Sequence, residues 1–209
     1  MSEIRSGVLH LLANPLVYDT FQTVVGANAW RKKVIEASLI PLVADDALIV
    51  DVGCGTGWVL HLLPPKIRYI GIDRNRAYVE QARSTFVGRR AEFRCDDLSL
   101  NSVSIDCSAD AVLAIGLLHH LSDQECVQLL TAIAGMLNPG GFLLTLDPVI
   151  CKDQSIIAKA IIQRDRGRSV RTADGYRKLL ARTFRHVEAS VDHSPLRIPY
   201  TGIVCSAYR

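Results

Sequence analysis

The chain has 209 residues, 49% of them hydrophobic, with a formal charge of +3. That suits one compact unit with a sizeable core, and the charge is too small by itself to argue for a nucleic-acid or membrane-surface partner. The longest apolar runs, Ala111 to Leu118 and Phe142 to Leu146, fall far short of the roughly 20 residues that cross a bilayer.

The N-terminus carries Glu3 and Arg5 ahead of a short apolar run, Val8 to Ala13, with no convincing cleavage site. It does not read as a secretory signal, and a cytoplasmic location is expected. Residues 8 to 40 look mainly helical. From about residue 47, short β-rich apolar runs alternate with longer amphipathic segments, the pattern of a parallel sheet covered on both faces by helices. Strand one is predicted over Leu48 to Val52, followed by a short helix from Trp58 to Leu63. Strand two, Arg68 to Ile72, precedes a helix from Arg76 to Phe86. Strand three, Glu92 to Cys95, leads by a loop to strand four, Ala111 to Ile115, whose continuous apolar character suits a central strand. A helix from Gln124 to Leu137 is predicted to be capped by Ser122 and Asp123. It is closed by Asn138-Pro139-Gly140-Gly141, read as a helix stop and turn before strand five, Phe142 to Leu146. The tail adds helices near Ser155 to Gln163 and Gly175 to Phe184, then strands at His186 to Val191 and Thr201 to Ala207.

Six cysteines, at 54, 95, 107, 126, 151 and 205, include no CxxC pair and no Cys/His grouping at zinc spacing. They read as reduced, mostly buried thiols, with no metal site expected.

The strongest chemical signal is Val50-Asp51-Val52-Gly53-Cys54-Gly55-Thr56-Gly57, a strand ending in an acid and then three glycines in five positions. Glycine permits positive φ and close approach of a ligand to the backbone. A turn of this kind leading into a helix offers N–H groups to an electronegative ligand. A dinucleotide site is the main rival, but its fingerprint is GxGxxG. The spacing here is GxGxG, with Trp58 where the third glycine should fall. Strand two ends in Gly71-Ile72-Asp73 and strand three in Cys95-Asp96-Asp97. Parallel sheets bind ligands across their carboxyl ends, so Asp51, Asp73 and Asp96 are expected to converge on one crevice. An acid in the place of Asp73 can accept both hydroxyls of a ribose.

With these residues in view, roughly residues 45 to 150 resemble the class I S-adenosylmethionine-dependent methyltransferase family. The resemblance rests on VDVGCGTG, on GID, on the acid after strand three and on Leu137 to Phe142 before strand five. It implies an α/β, Rossmann-like, seven-stranded and mostly parallel sheet with an antiparallel last strand, and helices on both faces. Residues 1–44 would form a helical N-terminal cap, 45–150 the cofactor-binding core, and 151–209 the substrate-side helices with the last two strands. It also implies that Asp51, Gly53, Cys54, Gly55, Thr56 and Gly57 cradle the cofactor, that Asp73 with Arg74 meets its ribose, and that Asp96, Asp97 and Leu98 face its adenine. Tyr18 is expected to close over the cofactor and Arg31 to meet its carboxylate.

Strand four ends in Gly116-Leu117-Leu118-His119-His120-Leu121-Ser122-Asp123, and strand five in Asp147-Pro148. Histidine titrates near neutral pH and can take a proton from a hydroxyl as its oxygen attacks. LHHLSD with the strand-five aspartate is similar to small-molecule O-methyltransferases, including those acting on sugar hydroxyls. That likeness implies His119 as base, Asp147 as its partner and His120 on the substrate side. In the segment RDRGRSVR, Arg164, Arg166, Arg168 and Arg171 surround one acid. Arginine forks suit phosphate or carboxylate, so Arg166 and Arg168 are expected to grip an anionic or sugar-type acceptor, with Tyr200 reaching the same pocket. The alternatives are an aromatic or lipophilic metabolite, or an RNA held by the arginines.

Overall fold

The computed structural model describes residues 15–96, 108–163 and 169–209, with the side chains of 15–18, 21 and 163 outside that description. Its centre is a sheet whose strands are β1 (Leu48–Val52), β2 (Arg68–Asp73), β3 (Ala91–Cys95), β4 (Ala109–Ile115), β5 (Leu137–Ile150), β7 (His186–Asp192) and β8 (Gly202–Tyr208). Their spatial order is β3-β2-β1-β4-β5-β8-β7, and a two-residue strand, β6 (Arg171–Thr172), pairs off this path with β5. All pairings are parallel except those of β8 with β5 and β7. The expected sheet is therefore present, with β6 as an addition that the sequence pattern did not suggest.

Strand alternation builds two cores, because successive side chains point to opposite faces. On β1, Val50 and Val52 enter one cluster and Ile49 the other; on β4, Val112 and Ala114 face one way and Ala111 and Leu113 the other. The first face is covered by α4 (Asp123–Met136) and α6 (Ala173–Leu180), the second by α2 (Ala27–Ser38) and α3 (Arg76–Thr85). The remaining described helices are α1 (Pro15–Val24) and α5 (Ile156–Gln163). Among the described residues no helix is long and apolar enough to cross a membrane. Cys54, Cys126 and Cys205 are buried as expected, whereas Cys95 is exposed; Cys107 lies outside the described residues.

Two local expectations need correction. The stretch after Gly57 is one 3-10 turn, Trp58–His61, rather than a helix to Leu63. The Asn138–Gly141 block stops α4 but does not separate it from the strand, because β5 begins directly at Leu137. Leu137 pairs with Ala109 and Phe142 with Ala111, so four residues bulge opposite Asp110. The Asn138 amide donates to Asp110 Oδ1 at 2.8 Å, while Oδ2 accepts the Leu48 N–H at 2.8 Å. The asparagine and glycines thus form an anchored bulge that ties β5, β4 and β1 together at their amino ends. The cap of α4 is as expected: Ser122 and Glu125 form a reciprocal capping box.

Gly202, at the start of β8, faces the Trp30 ring of α2, and a Cβ there would overlap the indole. This contact presses α2 onto the carboxyl half of the sheet. Gly202→Ala is expected to cost about 1–3 kcal/mol by overpacking. Adding Trp30→Leu should recover part of that loss, read by urea denaturation as non-additivity of the double variant. Strictly additive losses would show that the indole does not set the space at Gly202.

Candidate active site

At the carboxyl ends of β1, β2 and β3 the backbone is laced together. Gly53 and Cys54 N–H both donate to Ile72 O, at 2.8 and 3.0 Å, and Asp96 N–H donates to Asp73 O at 3.1 Å. The carboxylate of Asp73 completes the lacing: Oδ2 accepts Gly55 N–H and Oδ1 accepts Asn75 N–H, each at 2.8 Å. Gly53, Gly55 and Gly57 all have positive φ, 77°, 56° and 75°, which lets the chain reverse twice in five residues. Their surroundings separate their tasks. A Cβ on Gly57 would stand 2.8 Å from the Phe93 ring, one on Gly53 would stand 3.3 Å from Leu117, and one on Gly55 would meet nothing within 4 Å. Gly57 serves packing; Gly55 presents open backbone.

Four of the five amides in the turn are spent internally, since Gly57 N–H also donates to Cys54 O. The sequence expectation of N–H groups free for an electronegative ligand is therefore not met. The 3-10 turn that follows is also too short to build a helix dipole. A pyrophosphate needs outward amides and a helix N-terminus, so this turn is poorly provided for a dinucleotide. A cation is better served. Asp51 is buried at the base of the cleft, where the Tyr69 hydroxyl donates to its Oδ2 at 2.6 Å. Burial pushes its carboxyl up to about 6, opposed by the Tyr69 hydrogen bond and by the Arg31 charge. Burial also raises Asp73, against the amides that hold it down.

The cleft is lined by Arg31, Asp51, Gly53, Cys54, Gly55, Thr56, Val59 and Ile115, with a free volume of about 30 Å³, room for one water. Behind the cleft, α1 holds the glycine turn. Asp19 accepts the Thr56 hydroxyl at 2.8 Å and the Gln81 amide at 3.4 Å, bridging the glycine turn to α3. Asp19 escaped the sequence reading because nothing in an isolated helical acid marks a partner 37 residues away. Tyr69 was missed for the same reason; its strand position carries no chemical signature.

The second cluster stands across the cleft, at the carboxyl ends of β4 and β5. Gly116 N–H donates to Leu146 O at 2.6 Å, joining the two strand ends, and Leu117 packs on Gly53. Two residues on, His119 is 5% exposed. Asp147 Oδ1 lies 2.8 Å from its Nδ1 and accepts its backbone N–H at 3.1 Å. Burial raises the Asp147 carboxyl, with the His119 bonds opposing. Asp147 Oδ2 is buried and has no hydrogen-bond partner among the described residues. The His120 ring lies 4.0 Å from that of His119. Tyr200 is half-buried beside Thr201, whose carbonyl accepts Val149 N–H, so it stands at the same sheet edge.

The other residues singled out in the sequence fall as follows. Arg74 and Asp96 flank Asp73 at the ends of β2 and β3, where the Cys95 thiol approaches Arg74 O at 3.8 Å. Arg31 lines the cleft, with Nη1 donating to Asn28 Oδ1 at 3.2 Å. Tyr18 belongs to α1, but its side chain lies outside the described set, as do Asp97, Leu98, Arg164, Arg166 and Arg168 altogether. Arg171 is described, and it is not a free cation for a ligand: it donates to Leu118 O, Leu121 O and Ser169 O and pairs with Asp123.

Sheet order and the glycine turn after β1 give a Rossmann-like α/β fold of the kind found in solved methyltransferases. Residues 49–141 match the family model described as a methyltransferase domain. Over 100 residues it is 37% identical to the probable tRNA methyltransferase 9B of Bos taurus, covering 47% of this chain and 20% of that protein; the match spans about a fifth of that relative's length. Among solved structures, mitomycin 7-O-methyltransferase MmcR superposes with a TM-score of 0.69 at 20% identity, covering 98% of this chain and 62% of that one. The plantazolicin methyltransferase BpumL gives 0.67 at 15% identity, covering 98% and 92%.

Asp51 yields a pH prediction. Its folded-state value, about 6, lies above the ordinary 3.8, so the neutral acid favours the folded chain. That contribution is complete below about pH 4 and is lost as pH rises through 6. Over that window the wild type should lose about 2–3 kcal/mol that Asp51→Asn retains, measured by urea unfolding of both proteins from pH 4 to 7. Parallel curves would show that burial does not raise the Asp51 carboxyl above its unfolded value.

Proposed function

We propose that this protein transfers a methyl group from S-adenosylmethionine to a hydroxyl oxygen of a small polar acceptor, with sugars and glycan precursors the first class to test. The observation that carries the reading is the buried His119–Asp147 pair, placed at the β4–β5 edge and joined to the glycine turn through Leu117 on Gly53. The residues on the other side of the cleft fit the cofactor: open backbone at Gly55, a ribose-facing carboxylate at Asp73 with lone pairs beyond its two amide bonds, and buried acids suited to a cation.

When bound, S-adenosylmethionine supplies a methyl carbon activated by a positively charged sulfur. Gly53 to Gly57 would hold its amino-acid portion with Arg31 at its carboxylate, Asp73 with Arg74 would hold its ribose, and Asp96 would meet its adenine; Asp97, Leu98 and the Tyr18 side chain, outside the described residues, are proposed to complete the same site. His119 takes the acceptor hydroxyl proton at Nε2 while Nδ1–H is held by Asp147, whose charge stabilises the imidazolium that results. His120 and Tyr200 would stand on the acceptor side, with Arg166 and Arg168, outside the described residues, as the proposed grip on an anionic group. Attack by oxygen is favoured because histidine is matched to a hydroxyl proton near neutral pH, and the likeness to a 7-O-methyltransferase agrees with it.

One finding favours a second reading, an RNA acceptor: the likeness to a probable tRNA methyltransferase. The two separate cleanly. RNA held through phosphates dissociates steeply as salt rises, whereas a small acceptor does not behave so. Labelled S-adenosylmethionine offered with sugar, aromatic and tRNA acceptors at two salt concentrations reads this directly. With the acceptor that takes label, His119→Gln is expected to leave cofactor affinity within about twofold and to lower kcat by about 10²-fold or more. Unchanged turnover would remove His119 as the base.

A further inference from the structure

Arg171 is the fourth arginine of a basic segment, yet its guanidinium points into the protein. It occupies β6, which pairs with β5 at Val149 and Ile150, immediately beyond Asp147 and Pro148. Nη1 donates to Leu118 O and Ser169 O, both at 2.9 Å. Nη2 donates to Leu121 O at 2.8 Å and lies 2.7 Å from Asp123 Oδ1, which also accepts Nε–H at 2.9 Å. Every face of the planar fork is thereby engaged. The side chain is 10% exposed, although its carboxylate partner is 63% exposed.

The bonded carbonyls decide what this does. Leu118 O and Leu121 O bracket His119 and His120 in the chain, and the carbonyl of His119 itself accepts Ser169 N–H at 3.0 Å. Arg171 also lies over the Tyr176 ring, 5.8 Å from guanidinium carbon to centroid. The Tyr176 hydroxyl in turn donates to Pro148 O at 3.0 Å, the carbonyl next after Asp147. A single side chain therefore holds the backbone on both sides of the histidine pair and packs on the residue that holds the backbone beside the aspartate.

We infer that Arg171 is the positioning residue of the site: by gripping Leu118 and Leu121 it fixes the His119 ring against Asp147, and it takes no part in binding an anionic acceptor. The inference rests on the proposed role of His119. Lysine cannot replace it, because one ammonium presents its donors from a single atom and cannot span two carbonyls and a carboxylate together. Loss of the fork frees the 118–121 turn, and misplacement of a reacting group by about 1 Å is enough to cost about 10²-fold in rate.

The test uses full-length Arg171→Ala and Arg171→Lys beside the wild type and His119→Gln. Cofactor affinity by calorimetry reports whether each variant still folds around the glycine turn. Low-field proton NMR reports the hydrogen-bonded Nδ1–H of His119, assigned by its absence from His119→Gln. The expected result is retained cofactor binding, loss or broadening of that resonance in both arginine variants, and a kcat lowered about 10²-fold with acceptor KM within a few-fold. Millimolar guanidinium should partly restore both resonance and kcat to Arg171→Ala, which a merely unstable protein would not show. An undisturbed resonance, or a raised acceptor KM at unchanged kcat, overturns the inference and makes Arg171 structural or acceptor-binding. Should His119→Gln itself keep full turnover, the base assignment fails instead, while the resonance still judges the positioning. If Arg171→Ala loses cofactor binding, Arg171→Lys decides on the same two readouts.

Discussion

Both oxygens of Asp73 are committed to backbone amides, one in the turn after β1 and one in the turn after β2. That bifurcated grip is the constraint on which the rest of the site depends. Without it, the glycine turn has three residues in left-handed conformations and little side-chain matter to hold them there. With it, the turn becomes a ledge with four of its five amides already satisfied. The ledge then offers shape and nearby negative charge rather than outward N–H donors. This distinguishes it physically from the phosphate-binding turns to which its glycine content first compares it.

A matching device stands on the other strand pair. Asp147 Oδ1 accepts the His119 backbone N–H and meets its ring Nδ1, while Asp73 accepts two amides, and both carboxyls are raised by burial. Buried carboxylates that keep their hydrogen bonds cost stability compared with an apolar core. They are placed at the carboxyl ends of parallel strands, where such sheets gather ligands, and Leu117 against Gly53 makes the two devices neighbours. The chain thus concentrates its costly groups along one edge and leaves both faces of the sheet almost purely apolar.

Much of this was legible in the sequence because its signals are local. The continuous burial of β1 and β4, the Ser122 cap and the acid closing β2 each depend on a few adjacent residues, and each appears where the pattern puts it; Asp147, expected just past the end of strand five, instead lies within β5, which runs on to Ile150. What was not legible depends on distant partners. The Asn138–Gly141 block reads as a turn until Asp110, 28 residues earlier, is seen to hold it as a bulge. The glycine amides read as free until Ile72, Asp73 and Cys54 are seen to consume them. Arg171 reads as one of four exposed cations until the carbonyls of the His119 turn are found around it. Composition announces a charge, but only the fold says whether the charge faces outward.

The central claim is that the ledge of Gly53 to Gly57, tied by Asp73, grips an adenosyl sulfonium. The direct measurement is titration calorimetry of the purified chain with S-adenosylmethionine and with NAD, repeated on Asp73→Asn. A single S-adenosylmethionine site, abolished or strongly weakened in the variant and with no heat from NAD, is the predicted result. Uptake of NAD with indifference to S-adenosylmethionine would contradict the account at its base.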